Sequence, residues 1–267
     1  EGALGMSRRI LMMFEKITCK LSTHVRIVSP KNMEIVIKDG VCPRNKIGVI
    51  GLGGTIGVNT KIYNISKKDE FRKETRAKLG LNDNEYLYTF VGRINADKGI
   101  NELIEAFKMV SAKYNNVKLL LLGLGDKVNP VKPENLKWAK STANVLMPGP
   151  VHKDLVCRYI SASDMLVHPT YREGFGKIIQ EAMSMQLPVI TTDVPGPSEV
   201  VEENISGILV PKADAKALAD AMCKLYEDKE LADRIAEAGY KRFLENFTME
   251  KMVKNIYDEY SKITGLC

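Results

Sequence analysis

MLVHPTYREGFGKIIQEAMSM, residues 165–185, holds a strand, a loop and a helix in one short stretch. The apolar run at 165–168 ends at Pro169, which cannot donate to a sheet ladder. An exposed-looking Tyr171-Arg172 pair follows, then Glu173, a Gly174-Phe175-Gly176 turn, and a helical pattern with Ile178, Ile179, Ala182 and Met183 on one side. The first N–H groups of such a helix are unpaired, and the glycines admit a ligand close to them, so the turn suits phosphate or sugar oxygens. A second acid, Glu181, lies on the helix. With a helix starting near Gly176, Glu181 sits about 7–8 Å along the axis at 1.5 Å per residue. The two acids therefore reach different parts of one elongated ligand and do not form a close acid/base couple. Each also has a plainer reading, Glu173 as an anion at a helix N-terminus and Glu181 as a solvated helix residue. An acid beside a buried face needs a partner, which favours function for Glu181.

Outward from this unit, short β-rich apolar runs recur at 86–91, 117–122, 145–147, 189–191 and 207–210, separated by helical patterns at 99–114, 133–140, 153–161 and 197–201. This alternation predicts an α/β fold, a doubly wound parallel sheet whose strands are buried on both faces. Ser66-Lys67-Lys68-Asp69 reads as a capping box opening a helix that stops at Gly80. Helical patterns at 213–226, 229–247 and 248–264 close the chain. The front portion reads as a helix at 7–21, a strand at 24–28, a helix from Ser29-Pro30 to Gly40, and a strand at 46–50 running into the glycine cluster 51–57. The boundary falls at residue 64, giving a smaller unit at 1–64, including a linker, and a larger one at 65–267.

In open parallel sheets ligands bind beyond the carboxyl ends of the strands. The loop after 86–91 is Gly92-Arg93-Ile94-Asn95-Ala96-Asp97-Lys98-Gly99, which places two cations before a helix N-terminus, an arrangement that suits a diphosphate. The same loop also reads as two surface cations, one of them paired to Asp97. Gly123-Leu124-Gly125-Asp126 permits close backbone approach, and Met147-Pro148-Gly149-Pro150-Val151 is either a stiff turn or a source of main-chain groups for a flat base. His168 closes a strand and His152 opens a helix, without a second ligand-type residue at metal-binding spacing, so neither is taken as a site residue. The cluster 51–57 follows a strand but is spaced G-x-G-x-x-x-G with no small-residue helix behind it, so it reads as a hinge more than as a dinucleotide fingerprint.

The chain has 267 residues, 45% hydrophobic and 27% charged, enough for a sizeable core. No apolar run approaches the roughly 20 residues of a membrane span, and the opening at Glu1 without methionine reads as a piece of a longer protein. Five scattered cysteines without C-x-x-C spacing point to reduced thiols in a cytoplasm and no structural zinc. Residues 1–80 carry 16 Lys and Arg against 7 Asp and Glu, a solvated basic face or the mark of peripheral contact with an anionic membrane. Few aromatics and no nucleic-acid-binding signature argue against nucleic acid as a partner, and no H-E-x-x-H or G-x-S-x-G supports metal-dependent or covalent hydrolysis.

FVGRINADKGINELIEAF, LLLLGLGD, MPGPV, SASDMLVHPTYREGFGKIIQEAMSMQLPVITTDVPGPSEVV, GILV and DAKALADAM, in that order and spacing, resemble the C-terminal domain of the family 4 retaining glycosyltransferases of the GT-B fold, of the bacterial capsule and exopolysaccharide type. The resemblance implies a Rossmann-like donor-binding domain over 65–267 and the tail of an N-terminal domain before it. It implies that Arg93 and Lys98 grip the donor diphosphate beside Gly92 and Gly123, that the main chain near Val151 holds a base, often uracil, and that Glu181 accepts the ribose hydroxyls. Glu173 and the N–H groups of Gly174, Phe175 and Gly176 would meet the donor sugar, and those of Lys177 and Ile178 a phosphate. Arg93, Lys98 and Glu173 would carry catalysis, with no metal and no cofactor. The implied reaction moves a hexose-type sugar from a nucleotide-sugar, UDP-linked by expectation, to a saccharide or lipid-linked acceptor. It would run in the cytoplasm, peripheral to the inner membrane face, and poorly or not at all in this chain alone, because the family's other domain supplies the acceptor pocket. Lys177 and Gln180 stand where the family often has apolar residues. The competing expectations are a non-catalytic nucleotide-binding module and an NAD-dependent oxidoreductase built on 51–57.

Overall fold

The computed structural model describes residues 5–265, so Cys267 lies outside the described residues. The front unit consists of α1 (Gly5–Leu21), β1 (Val25–Arg26), α2 (Pro30–Lys38) and β2 (Ile47–Gly48). Its two strands pair in parallel, Val25 opposite Ile47 and Arg26 opposite Gly48. Both strands are shorter than the apolar runs at 24–28 and 46–50 predict, because ladder partners exist for two residues on each. Ser29 caps α2 as expected, accepting from the Asn32 N–H, with Pro30 at the first helical position.

The larger unit runs α3 (Lys68–Leu79), β3 (Tyr86–Val91), α4 (Ile100–Lys113), β4 (Val117–Leu122), α5 (Pro133–Ser141), β5 (Val145–Gly149), α6 (Val156–Ala162), β6 (Met165–His168), α7 (Lys177–Ser184), β7 (Val189–Thr192), α8 (Pro197–Val200), β8 (Ile208–Val210), α9 (Ala215–Glu227), α10 (Lys229–Asn246) and α11 (Met249–Thr264). The capping box does not form. A 3-10 turn at Ile65–Lys67 precedes α3, and Asn64 caps that turn by accepting from the Ser66 N–H. Gly80 closes α3 in the left-handed conformation, as read.

Among the described residues the main sheet has six strands, all parallel, in the order β5-β4-β3-β6-β7-β8. The period of two along each strand sorts its side chains between the faces. Tyr88, Phe90, Leu119, Leu121, Met165 and Val167 point into the larger core with α4 and α9. Leu87, Leu120 and Leu122 pack with Tyr159 of α6 on the other face, and Leu166 and Val189 pack there with Ile179 and Met183 of α7. The chain winds outward from β3 through β4 to β5, then crosses to the far side of β3 and continues through β6, β7 and β8. This reversal makes a switch point between β3 and β6, the place where the binding crevice of an open parallel sheet lies. No helix among the described residues is long and apolar enough to cross a membrane.

The units are tied at several places. Val58 bridges to the start of α11, receiving the Met249 N–H at 2.9 Å and donating its own to the Phe247 carbonyl at 2.9 Å. Arg26 of β1 pairs with Glu259 of α11. Glu199 of α8 accepts the Ser29 hydroxyl and the Lys31 N–H at 2.5 Å, and also the N–H of Gly196 at 2.9 Å, so one carboxylate sits at the N-termini of two helices.

Candidate active site at the switch point

The loop after β3 is built by its own polar side chains. Asn95, fully buried, accepts the Lys98 N–H at 3.0 Å and donates its amide to Asp126 at 3.0 Å. The Ile94 N–H donates to the Leu124 carbonyl at 2.7 Å, so this loop and the one after β4 are bonded to each other. Gly92 and Gly123 meet back to back, and a Cβ on Gly123 would lie 1.8 Å from the Gly92 carbonyl. Gly99 meets the third loop in the same way, since its Cβ would lie 2.0 Å from the Pro169 carbonyl. At both positions φ is positive and only glycine fits.

The two cations of the first loop have different fates. Arg93 reaches outward, its side chain 68% exposed, with Nη1 3.1 Å from the Asp126 carboxylate. Lys98 turns inward across the crevice, its side chain 14% exposed, and pairs with Glu173. Asp97 does not hold Lys98. It pairs with Arg172, and its carbonyl receives the Tyr171 N–H at 2.8 Å. The Thr191 hydroxyl donates to the His168 carbonyl at 2.8 Å and the Thr192 hydroxyl to that of Thr170, which fixes the start of the loop carrying Glu173.

His168 joins the pair, against the reading that set it aside. Its Nε2 lies 3.3 Å from Glu173, and its ring stacks on Phe90 with centroids 5.6 Å apart. Burial pushes its pKa below the usual histidine value, despite the carboxylate beside it. The ring is therefore neutral at pH 7, donating Nε2–H to Glu173, and the bare Nδ1 is the buried nitrogen left without a partner. Burial pushes the Glu173 carboxyl up, but the hydrogen bonds from His168 and Lys98 and the charge of Lys98 outweigh it, holding the carboxyl at about 2. The sequence did carry a signal for His168: a polar residue closing an otherwise apolar strand at its carboxyl end, five positions before the acid.

Glu181 lies on α7, its side chain 14% exposed, so it is not a solvated helix residue. The Lys177 ammonium lies 3.9 Å from its Oε1. Burial raises its pKa, with Tyr63 and Lys177 pulling the other way. Gly176 precedes α7 at φ 86°, which leaves the N–H groups of Lys177 and Ile178 in its first turn. The Gly174 N–H turns back to Glu173 Oε1 at 3.2 Å, and the Gly174 carbonyl accepts the Asn32 amide of the front unit at 3.4 Å. Val151 follows β5, two strands from the crevice, and packs on the cluster containing Leu87 and Leu120.

Phe175 turns away from the crevice. Its ring is buried against Phe247 and the glycine cluster, where a Cβ on Gly53 would lie 2.6 Å from it and one on Gly54 3.1 Å. The face of the cluster that a pyrophosphate would need is thus filled by Phe175, and no helix follows until residue 65. This cluster is a packing joint for the linker and not a dinucleotide loop. Among the described residues no group of three His, Cys, Asp or Glu side chains is arranged to hold a metal ion.

A sequence model of the family described as Glycosyl transferases group 1 matches residues 71–242, which contain the whole crevice. The chain belongs to the group 1 glycosyltransferases. Within that family it is 31% identical over 261 residues to the capsular polysaccharide biosynthesis glycosyltransferase CapM of Staphylococcus aureus, covering 98% of this chain and 67% of CapM. It is 32% identical over 169 residues to the alpha-D-kanosaminyltransferase of Streptomyces kanamyceticus, covering 62% of this chain and 42% of that protein. This group 1 chain thus spans about two fifths to two thirds of the length of these relatives. Among solved structures, the sucrose-phosphate synthase of Thermosynechococcus elongatus superposes with a TM-score of 0.79 at 25% identity, over 99% of this chain and 65% of that one. Anabaena HepE in complex with UDP and glucose shares the fold with a TM-score of 0.79 at 20% identity, over 96% of this chain and 68% of that one. The GT-B fold expected of a group 1 glycosyltransferase is the fold observed.

Proposed function

We propose that this chain carries the donor site of a nucleotide-sugar-dependent retaining glycosyltransferase, taking a UDP-sugar and serving a saccharide or lipid-linked acceptor in surface polysaccharide synthesis on the cytoplasmic side. The observation that carries the reading is the Lys98–Glu173 pair at the β3/β6 switch point, with Arg93 at the outer end of the same loop. As a sugar–phosphate bond breaks, negative charge grows on the leaving diphosphate. Arg93, Lys98 and the first N–H groups of α7 are positioned to stabilise it without a metal. Lys98 then exchanges part of its hold on Glu173 for phosphate oxygens. His168, neutral, keeps Glu173 oriented toward the sugar through one hydrogen bond and adds no competing charge. Glu181 lies further along α7, where the ribose hydroxyls of an extended donor would fall. Retention of configuration places the acceptor on the leaving-group face. Donor binding is the part proposed for this chain by itself, with transfer weak or absent.

The test is binding of UDP, GDP, ADP and NAD followed by calorimetry and thermal shift, with and without EDTA. UDP is expected to raise the melting temperature, EDTA to leave that rise unchanged, and Arg93→Ala to weaken UDP about 10- to 100-fold, the loss of charge-assisted hydrogen bonds. Protection by NAD and not by UDP would sink the reading. Peripheral contact with anionic membrane is part of the proposal for α1, whose exposed Leu11 and Phe14 lie among Arg8, Arg9 and Lys16. Co-sedimentation with vesicles containing phosphatidylglycerol, lost on Phe14→Glu, checks it.

A further inference from the structure

Glu199 stands on α8, and its carboxylate is shared between the two units. Its Oε1 accepts the Lys31 N–H at 2.5 Å, and its Oε2 accepts both the Gly196 N–H at 2.9 Å and the Ser29 hydroxyl. A carboxylate only accepts, so the Ser29 hydroxyl donates to it and turns a lone pair to the Asn32 N–H at 3.0 Å. Donors from the start of α2 and the start of α8 thus converge on one side chain. Ser29 is completely buried there. Arg242 of α10 anchors the far end of the same short helix, donating to the Glu199 and Val200 carbonyls at 3.0 and 2.7 Å.

The two segments that Glu199 joins are the two surfaces against which the loop carrying Glu173 lies. On one side is Gly196, at φ 96°, where a Cβ would lie 2.9 Å from the carbonyl oxygens of Glu173 and Gly174, so that stretch rests directly on it. On the other side is the start of α2. The Asn32 amide donates to the Gly174 carbonyl at 3.4 Å, and a Cβ on Gly174 would lie 3.8 Å from the Val28 side chain. The loop is seated between two backbones, and one carboxylate binds those backbones to each other. An amide in its place has a single acceptor atom for the same donors. Setting such a loop before the ligand arrives favours binding, because each torsion frozen at the moment of binding weakens affinity.

We propose that Glu199 is a positioning residue of the donor site: by fixing the starts of α2 and α8 against one another it holds the seat of residues 173–174, and so sets the loop that presents Glu173 and the first N–H groups of α7 to the donor. The front unit thereby completes a site whose ligand-facing groups all belong to the larger unit. The inference rests on the reading of residues 173–178 as the part that meets the donor's sugar and diphosphate.

The experiment compares the whole chain with Glu199→Gln, Ser29→Ala, the pair, and Glu202→Gln, a neighbouring carboxylate paired with Arg242 and not with the front unit. Binding of UDP and of uridine is followed by nuclear magnetic resonance titration, and amide hydrogen exchange by mass spectrometry. Glu199→Gln is expected to weaken UDP about tenfold, to leave uridine, which has no diphosphate, unchanged, and to speed exchange at residues 174–178 about tenfold while β3 and β4 exchange as in wild type. Ser29→Ala should weaken UDP by a smaller factor, about threefold, and add nothing once Glu199→Gln is present, and Glu202→Gln should bind UDP as wild type does. A general loosening of the fold would weaken UDP and uridine alike and speed exchange throughout, which overturns the proposal, as does unchanged exchange at 174–178. Should the wild-type chain not bind UDP, the donor reading falls and takes Glu199 with it. UDP bound equally by wild type and by Glu199→Gln leaves the donor reading standing and removes this inference alone.

Discussion

α1 and α4 are both amphipathic helices, of 17 and 14 residues, and they end up differently. α4 buries Ile100, Leu103, Ile104, Ala106, Phe107 and Val110 completely against the six-stranded sheet and α9. α1 leaves Met6, Leu11, Met13, Phe14 and Leu21 half or more exposed, and its buried contact is Cys19, packed with Cys42 and Ile47 over the two-stranded sheet. The helical period in the two sequences is equally clear. What differs is the opposing surface: six buried strands on one side, four paired residues on the other. An apolar stripe states that a helix has something to cover, and the extent of the sheet decides whether it does.

The largest expected effect follows from that contrast. Phe107→Ala should cost about 3–5 kcal/mol of unfolding free energy in urea, the usual loss for a fully buried aromatic side chain, and Phe14→Ala less than about 0.5 kcal/mol. Equal costs would break the comparison. A smaller effect sharpens it in acid, because the buried titratable pair His168–Glu173 lies in the larger unit. His168 has a folded pKa below its unfolded value near 6.5, so its contribution is whole above pH 6.5 and is lost as the pH falls below that. Glu173 falls from 4.5 to about 2 on folding, so its contribution is whole above pH 4.5 and disappears as the pH drops toward 2. His168→Phe, which keeps the stack on Phe90, should flatten the decline in stability between pH 6.5 and 4.5. Glu173→Gln should differ from wild type by roughly 1–3 kcal/mol less at pH 2 than at pH 6. Unfolding followed by circular dichroism across that range checks both, and parallel curves for variant and wild type would contradict them. The smallest effect is kinetic: limited proteolysis should cut within α1 well before any bond in the larger unit.

The alternation of the larger unit was readable because parallel strands buried on both faces show as unbroken apolar runs, and the strand-end loops carried Arg93, Lys98 and Glu173 in plain view. The front strands are shorter than their apolar runs because apolar character at 24–28 and 46–50 does not reveal how many residues find a ladder partner. The capping role of Asn64 is hidden because Ser66 and Asp69 imitate a box two residues later. Glu181, beside a buried face, is itself 14% exposed with Lys177 one turn away, and Tyr63 joins the cluster under α7 through topology and not through spacing. Metal-ligand spacing does not reveal His168, whose neutral ring donates a hydrogen bond to Glu173.

The back-to-back meetings of Gly123 with Gly92 and of Gly99 with Pro169 divide the crevice into two kinds of position. A library that varies Arg93 or Lys177 keeps the scaffold intact, because those exposed side chains lie away from the seams. A library that reaches 99 or 123 samples broken joints instead of new specificities. Descendants of this chain are free to change what they bind far faster than they can change how the three loops meet.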